Sequence, residues 1–344
     1  MALGDPLGIH RVIDPPGALP QPAWKLNNDA SRKFESEIHL AVETLNIDAA
    51  SFHQMETAGK DTRSVADQVL DTVAQRGKQH NPVTGSGGML LGRVTWVGSG
   101  AASRGFAEGD RVATLASLSL TPLSLEAVWR VRRESCQLDV SGNAIVFHSA
   151  PLGRIPNDMP ERVALALLDV AGAASQVARH AAPGALVVVL GAGGKSGLLC
   201  CAEARRAVGG GGRVIGVEQD ERFATELEEL GVCTSVVRAN AADPIAAESA
   251  VLAATGGKHA DLVISCVNVG GVEPTAILLA RPRGKVYFFA MSTSFTAAAL
   301  GAEGMSRDID MLIGNGYAEG HAEHTFALVR SHSALLALLA RRYG

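Results

Sequence analysis

The stretch Val187-Val-Val-Leu-Gly191-Ala-Gly193-Gly194-Lys195-Ser196-Gly197-Leu-Leu sets a cluster of glycines between an apolar, β-branched run and a helix-forming one. A strand, a glycine turn and a helix in that order can cradle a dinucleotide pyrophosphate. Gly191 would permit the tight turn, and Gly193 would let the backbone approach the phosphates. A later glycine would let helix and strand pack closely. The helix start then offers free N–H groups and a partial positive charge to the anion. The spacing departs from the common one: Gly197 falls one residue late, and Ser196 stands in the usual place. Gly194, Lys195, Ser196 and Gly197 together are therefore expected to complete the cradle. Gly194-Lys195-Ser196 also resembles the end of a triphosphate-binding P-loop, but the residue where that loop needs its first glycine is Val189.

A carboxylate follows at the right place. The next strand, Arg213-Val-Ile-Gly-Val217, ends at Glu218. Glu218 could accept hydrogen bonds from the ribose hydroxyls of an adenosine and would repel a 2′-phosphate, which favours NAD over NADP. Gln219, Arg222 and Arg238 pull the other way, so NADP stays open.

The elements that must hold these residues are legible in outline. Leu186–Leu190, Arg213–Val217, Val232–Val237, Asp261–Cys266 and Lys285–Phe289 read as strands alternating with helical stretches at Leu198–Val208, Glu221–Leu230 and Thr275–Ala280. That alternation predicts a doubly wound parallel sheet. Before it, Glu161–Leu168 reads as a helix continuing to His180, and Glu323–Arg342 as a closing helix. The first half is different. Glu37–Val42 alternates with Ile38, Leu40 and Val42 on one face, and Met89–Val97 reads as a strand. The turn at Gly109-Asp110 precedes a further strand. Short strands separated by turn signals predict a β-rich domain.

Composition excludes some classes. With 31 basic and 35 acidic residues among 344, net charge is −4, and nothing suggests a polybasic nucleic-acid surface. A hydrophobic share of 47% against 19% charged rules out a disordered chain. The longest apolar runs, Ala185–Leu190 and Ala334–Ala340, fall short of the roughly 20 residues a spanning helix needs, and no export signal is read, so no membrane association is expected. Cys136, Cys200, Cys201, Cys233 and Cys266 form no Cys-x-x-Cys pair, which fits a reducing, cytoplasmic compartment.

A β-rich domain ahead of a Rossmann unit resembles the medium-chain dehydrogenase/reductase superfamily, in which a GroES-like catalytic domain precedes the cofactor domain. More closely, long strings resemble the L-erythro-3,5-diaminohexanoate dehydrogenase family, a zinc-lacking branch. They are Gly8-Ile-His-Arg-Val12, Leu19-Pro-Gln-Pro-Ala-Trp-Lys25, Arg76-Gly-Lys-Gln-His-Asn-Pro-Val-Thr-Gly-Ser-Gly-Gly88, Ser117-Leu-Ser-Leu-Thr-Pro122, Leu168-Asp-Val-Ala-Gly-Ala173, Gly191–Gly197, Ser265-Cys-Val-Asn-Val269 and Asp310-Met-Leu-Ile-Gly-Asn-Gly-Tyr317. The resemblance runs from about residue 8 to residue 343. It implies a GroES-like domain over 1–155, a Rossmann domain over 156–310 and a segment, 311–344, returning to the first domain. It implies NAD-dependent oxidative deamination of (3S,5S)-3,5-diaminohexanoate to 5-amino-3-oxohexanoate, with release of ammonia, in lysine fermentation. It further implies a homodimer joined through edge strands of the cofactor domains.

The same resemblance locates the candidate chemistry. Zinc-dependent members carry a Gly-His-Glu segment, and here that place reads Gly85-Ser86-Gly87; a Cys ligand is missing near Asn46. Catalytic zinc needs about three protein ligands, so no metal is expected. Asp48 and Asp169 stand near the replaced ligand positions and suit a substrate ammonium, although helix caps and core ion pairs are the ordinary use of such aspartates. Lys78 and His80 lie in the glycine-flanked loop: Lys78 could hold the substrate carboxylate and His80 could move a proton near neutral pH. Surface solvation is the ordinary alternative for both. Glu43 and Glu56 are reserves. Asn268 and Ser292, after the fourth and fifth strands, are expected beside the nicotinamide, with Asn315 nearby. Two other readings stand beside this one: a zinc-free quinone or enone reductase of the same fold, and a non-catalytic nucleotide-sensing protein.

Overall fold

The computed structural model describes residues 1–58, 64–314 and 316–344. The chain divides into two compact units, Met1–Asp169 with Arg342–Gly344, and Val170–Arg341. The first unit therefore ends later than the expected 155. Glu161–Leu168 belongs to it because Arg111 ion-pairs with Glu161 and the Gln137 amide donates to Arg162 O at 3.3 Å. Of the expected returning segment 311–344, only the last three residues group with the first unit.

Unit 1 contains β1 (Val12–Asp14), β2 (Lys25–Leu26), β3 (Glu37–Asn46), α1 (Ala49–Ala58), α2 (Val65–Arg76), β4 (Met89–Val97), β5 (Arg111–Thr114), β6 (Leu123–Arg132), β7 (Gln137–Phe147), β8 (Leu152–Arg154) and α3 (Glu161–Leu168). Strands β6-β7-β3-β4-β5-β8 form one sheet, antiparallel at every pairing. Ile38, Leu40 and Val42 are buried in its core, as their alternation requires. The start of β3 anchors the lead-in segment, residues 1–30, which carries Pro6, Pro15, Pro16, Pro20 and Pro22. Glu37 is fully buried and takes Arg11 on both oxygens, at 2.7 and 2.8 Å. His10 and His39 close on the same carboxylate at 2.8 and 3.1 Å. Burial would push this carboxyl's pKa up; the hydrogen bonds from His10, His39 and Arg11 outweigh that and hold it far below the usual range.

Unit 2 contains α4 (Ala171–His180), β9 (Leu186–Leu190), α5 (Lys195–Val208), β10 (Arg213–Glu218), α6 (Glu221–Leu230), β11 (Ser235–Arg238), α7 (Pro244–Thr255), β12 (Ala260–Ser265), α8 (Glu273–Leu279), β13 (Ala280–Phe288), α9 (Phe295–Gly304), β14 (Asp310–Ile313), α10 (His321–Arg330) and α11 (Ser333–Tyr343). The sheet order is β11-β10-β9-β12-β13-β14, all parallel. From β9 the chain runs outward to β10 and β11, then returns to β12 on the other side. That reversal puts a crevice at the carboxyl ends of β9 and β12. The central strand β9 is buried at all five positions, which explains its unbroken apolar run. The single helix expected to His180 is two, broken at Asp169-Val170, and the expected closing helix is two, broken at Ser331-His332. Among the described residues no helix is long and apolar enough to cross a membrane.

Candidate functional site

The glycine turn closes β9 and opens α5. Gly191 adopts φ 71°, and Gly194 is the N-cap of α5, a 14-residue helix whose positive dipole end faces the turn. The late glycine performs the packing role: a Cβ on Gly197 would lie 2.2 Å from Gly191 O. Lys195 and Ser196 form the first turn of α5. Glu218 ends β10 and is 8% exposed. Its Oε2 accepts the Gly193 N–H at 2.9 Å, and its Oε1 accepts Gln219 and Asp220 N–H at 2.9 and 3.0 Å. Three backbone donors thus fix the carboxylate beside the turn. The two arginines that kept NADP open differ in use. Arg238 is engaged, on Glu228 at 2.6 and 3.0 Å and on Glu221 at 2.8 Å, while Arg222 lies over the Phe223 ring.

Asn268 is exposed on the loop after β12, and Ser292 lies on the loop after β13, where its hydroxyl donates to Val267 O at 3.1 Å. Asn315 lies outside the described residues. These features fit a dinucleotide: a glycine turn leading into a helix N-terminus after β9, an acceptor at β10, and loops at β12 and β13.

In unit 1 a second polar group forms beyond the end of β3. Asp48 caps α1, its Oδ1 accepting Ser51 N–H at 2.8 Å, while its buried Oδ2 has no partner among the described residues. The Ser51 hydroxyl meets the Thr84 hydroxyl at 2.6 Å, and the Asn81 amide donates to Gln54 Oε1 at 2.9 Å. Those two bonds join the 79–88 loop to α1, so Asp48 and the His80 loop belong to one framework. None of the four is singled out by the sequence: Asn81 and Thr84 are polar residues inside the quoted 76–88 string, and Ser51 and Gln54 lie outside every quoted string. Gln137 bridges Asn46 Oδ1, at 3.2 Å, and Arg162 O, so β3 and α3 share an anchor. Asp169 ends α3 in helical conformation.

Two expectations need correction. Lys78 is fully buried, and its Nζ donates to Pro20 O and Gln21 O at 2.8 and 2.9 Å. It ties the lead-in segment to the loop and is not presented to a substrate carboxylate. Burial, aided by Arg76, pushes its pKa down to about 8. His80 does not titrate near neutrality: burial, then the charges of Arg76 and Lys78, push it down to about 4. Its imidazole is neutral at pH 7, with a buried Nδ1 that has no partner among the described residues. The reserves are engaged elsewhere, Glu43 with Arg111 and Arg93, Glu56 with Arg133.

Residues 10–156 match the family described as L-erythro-3,5-diaminohexanoate dehydrogenase N-terminal domain, and residues 197–306 match the family described as zinc-binding dehydrogenase. The L-erythro-3,5-diaminohexanoate dehydrogenase of Acetoanaerobium sticklandii is 46% identical over 338 residues, 98% of each chain. The enzyme of that name from Fusobacterium nucleatum subsp. nucleatum is 44% identical over 337 residues, 97% of each chain. The chain belongs to the L-erythro-3,5-diaminohexanoate dehydrogenase family. Among solved structures, mycobacterial Rv1454c in complex with NADPH superposes with TM-score 0.57 at 16% identity, over 90% of this chain and 89% of that one. A Pseudomonas syringae quinone oxidoreductase gives 0.55 at 16%, over 90% and 82%. These likenesses establish the medium-chain dehydrogenase/reductase fold. The zinc that the second family's description implies finds no donor set among the described residues, where no group of three or more His, Cys, Asp or Glu could hold a metal ion.

Proposed function

We propose that the protein catalyses NAD-dependent oxidative deamination of (3S,5S)-3,5-diaminohexanoate to 5-amino-3-oxohexanoate, releasing ammonia, as a step of lysine fermentation. The observation that carries this reading is the end-to-end similarity to two dehydrogenases bearing that substrate's name. The choice of NAD is supported by Glu218, whose fixed carboxylate can accept ribose hydroxyls and repels a 2′-phosphate, and by the engagement of Arg238 with two glutamates.

The nicotinamide ring, when bound, supplies the hydride acceptor. The Gly191 turn would let the pyrophosphate come close to the N-terminus of α5, where the positive end of the helix dipole favours an anion. Asp48 Oδ2 would take a substrate ammonium, since a carboxylate oxygen buried without a partner is costly until a donor arrives. His80 Nδ1, neutral at working pH, would accept a hydrogen bond without adding a charge to repel that ammonium. Asp169 remains a further candidate for the amine end.

We further propose a homodimer. Strand β14 is one of the two edges of the parallel sheet, and Met311 and Ile313 on it are 38% and 66% exposed, which suits edge-to-edge pairing with a second copy. A reducing, cytoplasmic setting is supported by the free thiols of Cys136, Cys200, Cys201, Cys233 and Cys266.

The test is spectrophotometric. Purified protein should reduce NAD⁺ with the diamino acid, more efficiently than NADP⁺, with ammonia released in equal amount. Quinone-dependent oxidation of NADPH without diamino-acid turnover would favour the reductase reading, and nicotinamide-nucleotide binding without turnover of either substrate would favour the sensing one.

A further inference from the structure

The loops at the carboxyl ends of β12 and β13 are tied together at two points. Ser292 Oγ donates to Val267 O at 3.1 Å. Ser294 N–H donates to Glu273 Oε1 at 2.7 Å. Glu273 lies at the start of α8 and is 1% exposed. Its bond reaches across 21 residues of sequence to the residue that caps α9.

A carboxyl group in so buried a place is costly unless its hydrogen bonds are made. An apolar side chain would fill the space without that cost. What the carboxyl adds is a fixed acceptor for the loop between β13 and α9. That loop carries Met291, 67% exposed, and Ser292; the loop it is tied to carries Val269, 55% exposed. Both stand beyond the strand ends on the β12 side of the reversal, opposite the side where Glu218 ends β10. With the pyrophosphate over Gly191 and the adenosine toward Glu218, the nicotinamide half falls on this side. Two exposed apolar side chains there suit the face of a flat ring.

We infer that Glu273 is a positioning residue for the nicotinamide half of the cofactor, acting through the Ala290–Ser294 loop and not by touching the ring. The inference rests on the nicotinamide reading above. Glu273→Ala leaves the Ser294 N–H without its acceptor, whereas Glu273→Gln keeps an oxygen in its place.

The test compares NADH with ADP-ribose, which has the adenosine and pyrophosphate but no nicotinamide ring. Binding is titrated to the full-length protein by calorimetry. Glu273→Ala should weaken NADH roughly tenfold, the scale of one lost hydrogen bond, and leave ADP-ribose within about twofold. Glu273→Gln should restore NADH binding. If the alanine variant does not fold, Glu273→Asp, which draws the oxygens back by one carbon, is read the same way. Equal weakening of both ligands, or unchanged NADH affinity in a folded variant, would overturn the assignment. Failure of the unsubstituted protein to bind NADH or NADPH would overturn the nicotinamide reading and this inference with it.

Discussion

Gly193 and Glu218 form a mutual fit. The Gly193 N–H reaches Glu218 Oε2 at 2.9 Å, and a Cβ on Gly193 would lie 2.9 Å from that same oxygen and 2.5 Å from Phe223 Cβ. The glycine is therefore required by the carboxylate as much as by an incoming phosphate, and the turn is set before any ligand arrives.

Glu218→Ala removes the acceptor from three backbone N–H groups as well as from a ribose. Hydrogen bonds to a charged group are worth about 1.5–3 kcal/mol, so KM for NAD⁺ should rise roughly ten- to hundredfold. The ratio of NAD⁺ to NADP⁺ efficiency should fall. Initial-rate kinetics with both coenzymes, alongside melting curves, measure this; an unchanged ratio counts against Glu218 as the selector.

Asp48→Asn keeps an oxygen for the Ser51 cap and loses the negative charge at Oδ2. With the substrate ammonium deprived of its partner, kcat/KM for the diamino acid should drop by about 2 kcal/mol, roughly thirtyfold or more. NADH affinity should not change. Steady-state rates and an NADH titration on one preparation separate the two effects.

His80 carries a pH signature. Its pKa in the folded chain is about 4, below its ordinary 6.5. Between those values the unfolded chain binds a proton that the folded chain does not, so stability is lost as pH falls from 6.5 toward 4. Urea midpoints across that range should decline less steeply in His80→Asn than in the parent. Parallel declines would mean that other groups dominate.

Arg11→Met strands Glu37 in the core without the guanidinium that bonds both of its oxygens. Breaking a buried pair from one side costs about 3–5 kcal/mol. Urea unfolding of unit 1 should show a loss of that size.

Ile313→Asp places a charge on the exposed edge of β14. A dimer built on that edge should become monomeric by sedimentation, with NADH binding retained. A dimer that persists would point to another interface.

The sequence alone determined what is local. The run from Val187 to Gly197 and the carboxylate at Glu218 announce themselves because a buried strand, a turn and a helix start are decided by residues within a few positions of one another. The alternation of Ile38, Leu40 and Val42 is legible for the same reason. Lys78 was misread because its partners, Pro20 O and Gln21 O, lie 58 and 57 residues away, and nothing near residue 78 announces that it is buried. The same holds for Ser51 and Thr84, 33 residues apart, and for Glu273 and Ser294. Helix periodicity carried the 161–180 stretch through Asp169-Val170, because the apolar pattern runs on across the break. Which side chains lose water, and which distant backbone groups then satisfy them, is a property of packing; desolvation and long-range hydrogen bonding exist only once the chain has closed on itself, and they turned a lysine expected at a substrate into a buried tie.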